Sequence, residues 1–496
     1  MPHRSILRPS FTAYIIVCAL ALVACASQAP APTIAVAPEV KLIADLTPVA
    51  EATAVQEILE LPTVAGRQLP TLDVATLDRP TVTAEATPSQ QRAATGQMIG
   101  AIIDADYQMP PTSTARPATL AAETEPELQS PQPRTDITTP LPLADIRLDG
   151  SRMGIQVHYN FDVAGWDRTL QQIAALRMGW IKLQASWEWM QPDFAGQFED
   201  NFRLFQLHVQ EADKRGNKVM LSVAKAPDWA RNHDRSEDGP PDDLQQFADF
   251  VGLLLDKLGP YIDAIEIWNE PNLRREWTGQ HAFDGAGYME LFRVGYNAVR
   301  AYSPNIAVIT AGLAPTGNSQ SISVNDRSYL RQMYQAGLAS YPDVVVGIHP
   351  YSWGNPPDFV CCNNVDGQGW DDQPQFFFSQ NIRDYSEIIR ANGHDAKMWA
   401  TEFGWATWEG YPTEAPDPWM HYNSALNQRD YTLRAFQIAQ SRNDIGIMIL
   451  WNLSFAEELT IFDRSELAGY SLLYPSFNGD NRKRERPLYR ALANRP

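Results

Sequence analysis

The chain has 496 residues, of which 20% are charged, and its formal net charge is −19. Nucleic-acid binding needs a basic surface, so this composition argues against a nucleic-acid partner. Cys18 and Cys25 lie near the N-terminus, and only the adjacent pair Cys361 and Cys362 falls in the rest of the chain. Four cysteines so placed exclude a disulfide-rich scaffold.

The first 24 residues have the pattern of an export signal. Basic residues precede the apolar run "FTAYIIVCALALVA", which is too short for a comfortable transmembrane helix. The tetrapeptide "LVAC" ends at Cys25 and resembles the lipobox of bacterial lipoproteins, which implies a lipid anchor on that cysteine. The alternative is cleavage after the "ACA" that ends at Ala26. Both interpretations predict export, either to the bacterial cell surface as a lipoprotein or as a secreted protein.

Residues 25–148 are predicted to form a disordered linker. Ala, Pro, Thr, Val and Glu dominate this stretch, as in "ASQAPAPTIAVAPEV", and it has no sustained apolar period. Such a composition cannot bury enough apolar surface to offset its chain entropy, and its prolines favour an extended tether. The alternative is a small folded element within residues 40–105.

From residue 149 to 496, short β-branched or aromatic runs alternate with helix-period segments, which predicts repeated βα units and a parallel sheet. Eight candidate strands begin at residues 153, 180, 218, 264, 306, 344, 397 and 446, with the sequences "MGIQVHY", "WIKLQ", "KVMLSV", "AIEIW", "IAVIT", "VVVGIHP", "KMWATEF" and "GIMILWN". The predicted fold is therefore an α/β single (β/α)8 TIM barrel.

Two glutamates stand at the ends of predicted strands, where the active site of such a barrel lies. "IEIWNEPN" ends the fourth strand with Asn269 and Glu270, and "WATEFGW" places Glu402 at the end of the seventh. A glycosidase needs one protonated and one ionised carboxyl group, and these two can approach to the roughly 5 Å of a retaining pair. The alternative carboxylates, which lack so well placed a partner, are Glu266, Glu457 and Glu458.

These motifs resemble those of the clan A glycoside hydrolases, which are retaining (β/α)8 barrels, and the resemblance covers residues 150–496. It rests mainly on "WNEPN", because an Asn-Glu pair ends the fourth strand throughout the clan. The resemblance implies that Glu270 is the general acid/base and that Glu402 is the nucleophile. It also implies that Asn269 hydrogen-bonds the sugar 2-hydroxyl.

The sixth and eighth strands carry further residues of the clan pattern. His349 and Tyr351 in "GIHPYSW" match a His and Tyr pair, of which the Tyr hydrogen-bonds the nucleophile. Trp451 in "ILWNLS" matches the aromatic platform under the sugar. The alternatives are a buried structural role for His349 and a core position for Trp451.

Within the clan, "APDWA" after the third strand most resembles family 39 and its relatives, with the family 5 cellulases next. This places Trp229, and after the seventh strand Trp405, among the candidate sugar contacts, because pyranose faces pack on indole rings. The alternative is that such tryptophans, with Trp353 and Trp408, belong to the core. Lys182 in "WIKLQASW" stands where many clan members have an Arg, and it presents a point charge instead of a planar fork.

The pair Cys361 and Cys362 lies in a long loop after the sixth strand, and in an exported protein we expect it to form a vicinal disulfide. No His and Cys set has zinc spacing, so the sequence predicts neither a metal nor a cofactor.

The predicted reaction is hydrolysis of a β-linked poly- or oligosaccharide with retention, by a monomer. The alternatives are an inactive carbohydrate-binding barrel and a transglycosylase that uses the same carboxylates. An esterase or protease finds no support, because no G-x-S-x-G motif is present and no cysteine has a plausible His partner. A tethered enzyme suits polymers near its own cell, which favours internal cleavage.

Overall fold

The computed structural model describes residues 147–158, 163–319, 321–362, 373–475 and 484–495. The predicted signal peptide, Cys25 and nearly all of the predicted linker lie outside the described residues. Among the described helices, none has both the length and the apolar composition needed to cross a membrane.

Within the described residues, eight parallel strands pair in chain order and close into a barrel. They are β1 Met153–Gln156, β2 Trp180–Ser186, β3 Lys218–Ala224, β4 Ala264–Ile267, β5 Ala307–Thr310, β6 Val344–Ile348, β7 Met398–Phe403 and β8 Ile445–Leu450. Each begins within one residue of its predicted start, so the prediction of a (β/α)8 barrel is confirmed. A two-stranded antiparallel sheet of β9 Leu473–Tyr474 and β10 Arg484–Glu485 lies outside the barrel.

Helices connect the strands and cover the barrel. They are α1 Val163–Leu176, α2 Trp187–Met190, α3 Asp200–Lys214, α4 Leu244–Leu258, α5 Gly285–Tyr302, α6 Asp326–Gln335, α7 Phe378–Ala391, α8 Ala425–Gln440, α9 Glu458–Phe462 and α10 Pro487–Ala493. Several begin at side-chain caps: Asp243 accepts a hydrogen bond from Gln245 N at α4, and Ser424 and Asn427 form a capping box at α8. These caps satisfy amide groups that a helix start leaves unpaired.

Inside the barrel, the inward-facing side chains of the strands form an apolar layer, called the floor here, with a polar layer above it. Trp180 of β2 and Ala264 of β4 pack with Met220, Ile309 and Ile449 in one buried apolar cluster. Because side chains two residues apart on a strand point to the same face, Lys182 and Glu266 come next above that floor. Both are fully buried. The barrel therefore holds charged groups directly below the strand ends.

Strand β6 approaches β5 so closely that only glycine fits at one position before the strand end. A Cβ atom on Gly347 would lie 2.2 Å from the carbonyl oxygen of Thr310. By contrast, a Cβ atom on Gly252 of α4 would meet no atom within 4 Å.

Gly347→Ala should therefore lower the free energy of unfolding by about 1–3 kcal/mol, because the backbone itself must move to relieve the overlap. Gly252→Ala is the matched control and should raise it by about 0.5–1 kcal/mol, since alanine restricts the unfolded chain. Urea denaturation of both variants checks this. Equal stability of the two variants would contradict the close approach of β5 and β6.

Candidate active site

Glu270 and Glu402 face each other at the C-terminal mouth of the barrel, as the sequence predicts. One carboxylate oxygen of each lies within 4.8 Å of the other, and a ring nitrogen of His349 lies within the same distance of both. All three side chains are almost wholly buried. The strand ends thus bring two carboxyl groups and an imidazole into one small, water-poor volume.

A sharp backbone turn after β4 directs Glu270 inward. Trp268 has φ 74° and Glu270 has φ 38°, both in the left-handed region that non-glycine residues rarely adopt. The Trp268 ring packs in the core and its Nε1 donates to the carbonyl of Glu276 at 2.9 Å. The Glu270 amide donates to Gly312 O at 3.1 Å. Such conformations cost about 1–3 kcal/mol each and occur mainly at functional sites.

The Glu270 carboxylate contacts two cationic side chains. His349 Nδ1 lies 2.9 Å from Oε1, and Arg275 Nη2 lies 3.5 Å from Oε2. Arg275 also lies 3.8 Å from Glu276, a buried side chain whose pKa burial raises to about 8. The Arg275 side chain is 22% exposed, so water screens its charge more than it screens the charge of His349.

A bulge in β7 allows both Thr401 and Glu402 to reach the site. The pairing of β7 with β8 shifts register between Ala400 and Phe403. Thr401 Oγ1 lies 3.0 Å from His349 Nε2, while the Glu402 carboxylate accepts hydrogen bonds from Lys182 and Tyr351. Adjacent strand residues normally face opposite sides, and a bulge removes that restriction.

Lys182 anchors Glu402 from below. Its Nζ lies 3.0 Å from Glu402 Oε1 and 3.0 Å from Glu266 Oε2, and it donates to Thr401 O at 3.1 Å. The contacts with Thr401 and Glu402 are hydrogen bonds, and the contact with Glu266 is an ion pair. Burial acts to lower the pKa of Lys182, but the charges of Glu266 and Glu402 outweigh it and raise this pKa above its ordinary value. Lys182 is therefore a buried, charged ammonium group.

Tyr351 bonds the other oxygen of Glu402, because its hydroxyl donates to Oε2 at 3.1 Å. Burial raises the pKa of Tyr351 well above its ordinary value, so the hydroxyl keeps its proton and remains a donor. Glu402 is thus fixed at both oxygens.

His349 is held as an imidazolium. Burial acts to lower its pKa, but the Glu402 charge and contacts with Glu266 and Glu270 raise the pKa to about 9. Both ring nitrogens then carry a proton, so Nδ1 donates to Glu270 and Nε2 to Thr401.

Asn269 and Trp451 present unpaired polar atoms in the site region. Asn269 is buried, and its Oδ1 has no hydrogen-bond partner among the described residues. Trp451 packs against Tyr351, Tyr470 and Phe455, and its buried Nε1 is likewise without a partner in the described part of the chain. The free amide oxygen of Asn269, next to Glu270, suits a hydrogen bond to a sugar hydroxyl. The Trp451 ring is fully buried in an aromatic cluster, so the structure places it at the core position that the sequence leaves as the alternative.

The other predicted contacts lie farther into the scaffold. Trp405 is a core residue that packs against Phe378 and Tyr431 and donates to Asn355 O, so its ring is not an open sugar platform. Trp229 is half-buried, leans edge-on against Trp187 and donates to Gln191 O. Cys361 and Cys362 form a disulfide.

Three site residues lay outside the main sequence-based predictions. Thr401 carries no motif signal, and Arg275 follows "WNEPN" in an irregular stretch. Glu266 does carry a signal, since a charged residue at an inward position of an apolar strand is unusual. The sequence indicates Glu266 only as an alternative catalytic carboxylate, whereas the structure places it below the pair, in contact with Lys182.

One protein family model matches the sequence of this chain. It is the family described as Cellulase (glycosyl hydrolase family 5), and it matches residues 146–440, more than half of the chain, including both site glutamates. Family 5 is the second of the two families that the motifs indicate, after family 39. No curated protein sequence matches the chain.

Several solved structures are similar to this chain. A family 39 glycoside hydrolase from Bacteroides cellulosilyticus has 19% identity and a TM-score of 0.50, over 69% of this chain and 62% of that chain. A family 1 β-glucosidase from Exiguobacterium antarcticum has 16% identity and a TM-score of 0.46, over 70% of this chain and 97% of that one. This chain therefore spans less than two thirds of the family 39 enzyme, and the likeness to that enzyme shows the fold alone.

The His349 interactions predict a pH-dependent stability. The pKa of His349 rises on folding from 6.5 to about 9. The contribution of the imidazolium contacts to the free energy of unfolding is therefore fully present below about pH 6.5 and is lost as the pH rises through about 9. At about 1.4 kcal/mol per pKa unit, the loss amounts to about 3 kcal/mol. Urea denaturation of wild type and His349→Gln across this range measures it, and a pH-independent difference between the two would contradict the buried imidazolium.

Proposed function

The chain belongs to the cellulase family of glycosyl hydrolases, family 5, and is a glycosidase that acts on carbohydrate; from this premise we propose that it cleaves β-linked poly- or oligosaccharide by double displacement, with retention at the anomeric carbon. Glu402 is the nucleophile and Glu270 is the general acid/base.

The separation of the two carboxylates carries this proposal. Retaining glycosidases place their carboxyl groups about 5–5.5 Å apart, whereas inverting enzymes keep about 6.5–9.5 Å to admit a water molecule. One oxygen of Glu270 lies within 4.8 Å of one oxygen of Glu402, which fits the first geometry better than the second.

In the first step, the Glu402 carboxylate attacks the anomeric carbon while Glu270 gives its proton to the departing glycosidic oxygen. The carbon–oxygen bond to the leaving sugar breaks, and a glycosyl ester forms on Glu402. Lys182 and Tyr351 hold the two nucleophile oxygens, so the attacking carboxylate is oriented before substrate binds. Asn269 hydrogen-bonds the sugar 2-hydroxyl.

In the second step, Glu270 acts as a base. It takes a proton from water as that water attacks the anomeric carbon, and the ester bond to Glu402 breaks. Esterification removes the negative charge of Glu402 from the buried site before Glu270 accepts the proton from water. His349, at 2.9 Å, stabilises that carboxylate.

Reducing-sugar release from a panel of polysaccharides tests the proposal: β-1,4-glucan, β-1,3-glucan, xylan, mannan, galactan and bacterial exopolysaccharides. We expect the full-length protein to cleave a polymer internally, and proton NMR to show the β-anomer first. Glu402→Gln should lower kcat by about 10⁴-fold or more, because it removes the nucleophile. Glu458→Gln, an exposed carboxylate after β8, is the matched control and should retain activity.

The α-anomer as first product would contradict double displacement. Binding of a polymer without cleavage by the wild type would support the inactive binding barrel instead. Products longer than the substrate would identify transglycosylation through the same glycosyl ester.

We further propose that the enzyme is anchored at the bacterial cell surface through a lipid on Cys25. The lipobox-like tetrapeptide "LVAC", which ends at this cysteine, supports the proposal. Cys25→Ser should move the protein from the membrane fraction to the medium and abolish its labelling by radioactive palmitate, because the thiol that carries the lipid is removed. Immunoblots of both fractions check this. An unchanged distribution, or an unlabelled wild type found in the medium, would favour ordinary signal cleavage and secretion.

A further inference from the structure

Glu266 is a fully buried carboxylate that the proposed reaction steps do not use. It lies within β4, four residues before Glu270. Its Oε2 lies 3.0 Å from Lys182 Nζ, and its Oε1 accepts from Gly312 N at 3.1 Å and lies 3.8 Å from His349 Nε2. Glu266 thus touches one cation that contacts Glu402 and another that contacts Glu270.

The contacts form a continuous chain of alternating charge: Glu402, Lys182, Glu266, His349 and Glu270. Adjacent members lie between 2.9 and 3.8 Å apart, and no side chain in the chain is more than 1% exposed. An unpaired charge in such a place would be costly, so the charges must nearly balance. Burial acts to raise the pKa of Glu266, but Lys182 and His349 outweigh it and hold this pKa far below its ordinary value.

Each cation in this chain of contacts lies between two carboxylates. Lys182 lies between Glu402 and Glu266, and His349 lies between Glu266 and Glu270. The other polar groups facing these residues are neutral or screened: Thr401, Tyr288, Tyr351, Tyr470 and the partly exposed Arg275 beside Glu276.

We propose that Glu266 is a positioning residue for both catalytic carboxylates: it keeps His349 and Lys182 charged and holds them against Glu270 and Glu402. This inference rests on the proposed function for its catalytic consequence. The contact with His349 is testable without substrate.

The test is an NMR titration of the His349 ring in the full-length protein, with its resonance among the eight histidines assigned from the spectrum of His349→Gln. Glu266→Gln removes a negative charge at 3.8 Å, so we expect the His349 pKa to fall from about 9 by about one unit or more. Glu266→Asp keeps the charge and withdraws it by one methylene, so a smaller fall is expected. Asp326→Asn, a buried carboxylate paired with Arg327, controls for general loss of stability.

Activity on the polymer cleaved fastest in the panel gives the second measurement. Glu266→Gln should lower kcat by about 10²-fold or more with little change in KM, because it disturbs the catalytic pair and not the sugar contacts. Glu266→Asp should recover part of the loss. If Glu266→Gln does not fold, Glu266→Asp decides, and a His349 pKa equal to that of wild type overturns the inference.

The two proposals fail separately. Wild-type cleavage combined with an unchanged His349 pKa in the Glu266 variants overturns the positioning role alone. A shifted His349 pKa in a protein that cuts no polysaccharide overturns the proposed function and with it the catalytic consequence, while the electrostatic contact between Glu266 and His349 is supported.

Discussion

The ammonium group of Lys182, buried between Glu266 and Glu402 at 3.0 Å from each, is the interaction on which the site depends. A charge without water must be matched by opposite charges within contact distance, or folding and function both suffer. Lys182 meets that condition by forming ion pairs with two carboxylates: that of Glu266, which takes no part in the proposed reaction steps, and that of Glu402, the proposed nucleophile. The nucleophile is therefore oriented by the same contact that makes the buried charge tolerable.

Local backbone devices bring the other groups to this point. Left-handed residues after β4 direct Glu270 into the barrel, a bulge in β7 lets Thr401 and Glu402 both face it, and Gly347 permits the close approach of β5 just before His349. Each departs from regular strand geometry, and each lies within a few residues of a side chain in the charged chain. The regular strands make the barrel rigid, and the irregular strand ends orient the side chains of the site.

Much of this arrangement follows from sequence pattern. Alternation and strand spacing predict the eight strands, and "WNEPN" and "WATEFGW" predict the facing carboxylates, because parallel strands end on one side of a barrel. Trp405 shows where prediction from sequence fails. The sequence pattern of a tryptophan after a strand is the same whether the ring faces a cleft or the core, and here tertiary packing buries the ring against Phe378. Thr401 is not predicted, because a bulge reverses the face of the strand on which it lies. The role of Glu266 is not predicted, because Lys182 and His349, which it contacts, are far away in the sequence.

Trapping of the covalent intermediate tests the central claim most directly. The full-length enzyme is incubated with the 2-deoxy-2-fluoro glycosyl fluoride of the sugar that it releases, digested, and analysed by mass spectrometry. The account predicts one glycosyl group on the peptide that contains Glu402, and none in Glu402→Gln. Hydrolytic activity without any adduct, or an adduct on another carboxylate, would contradict the assignment of Glu402 as nucleophile.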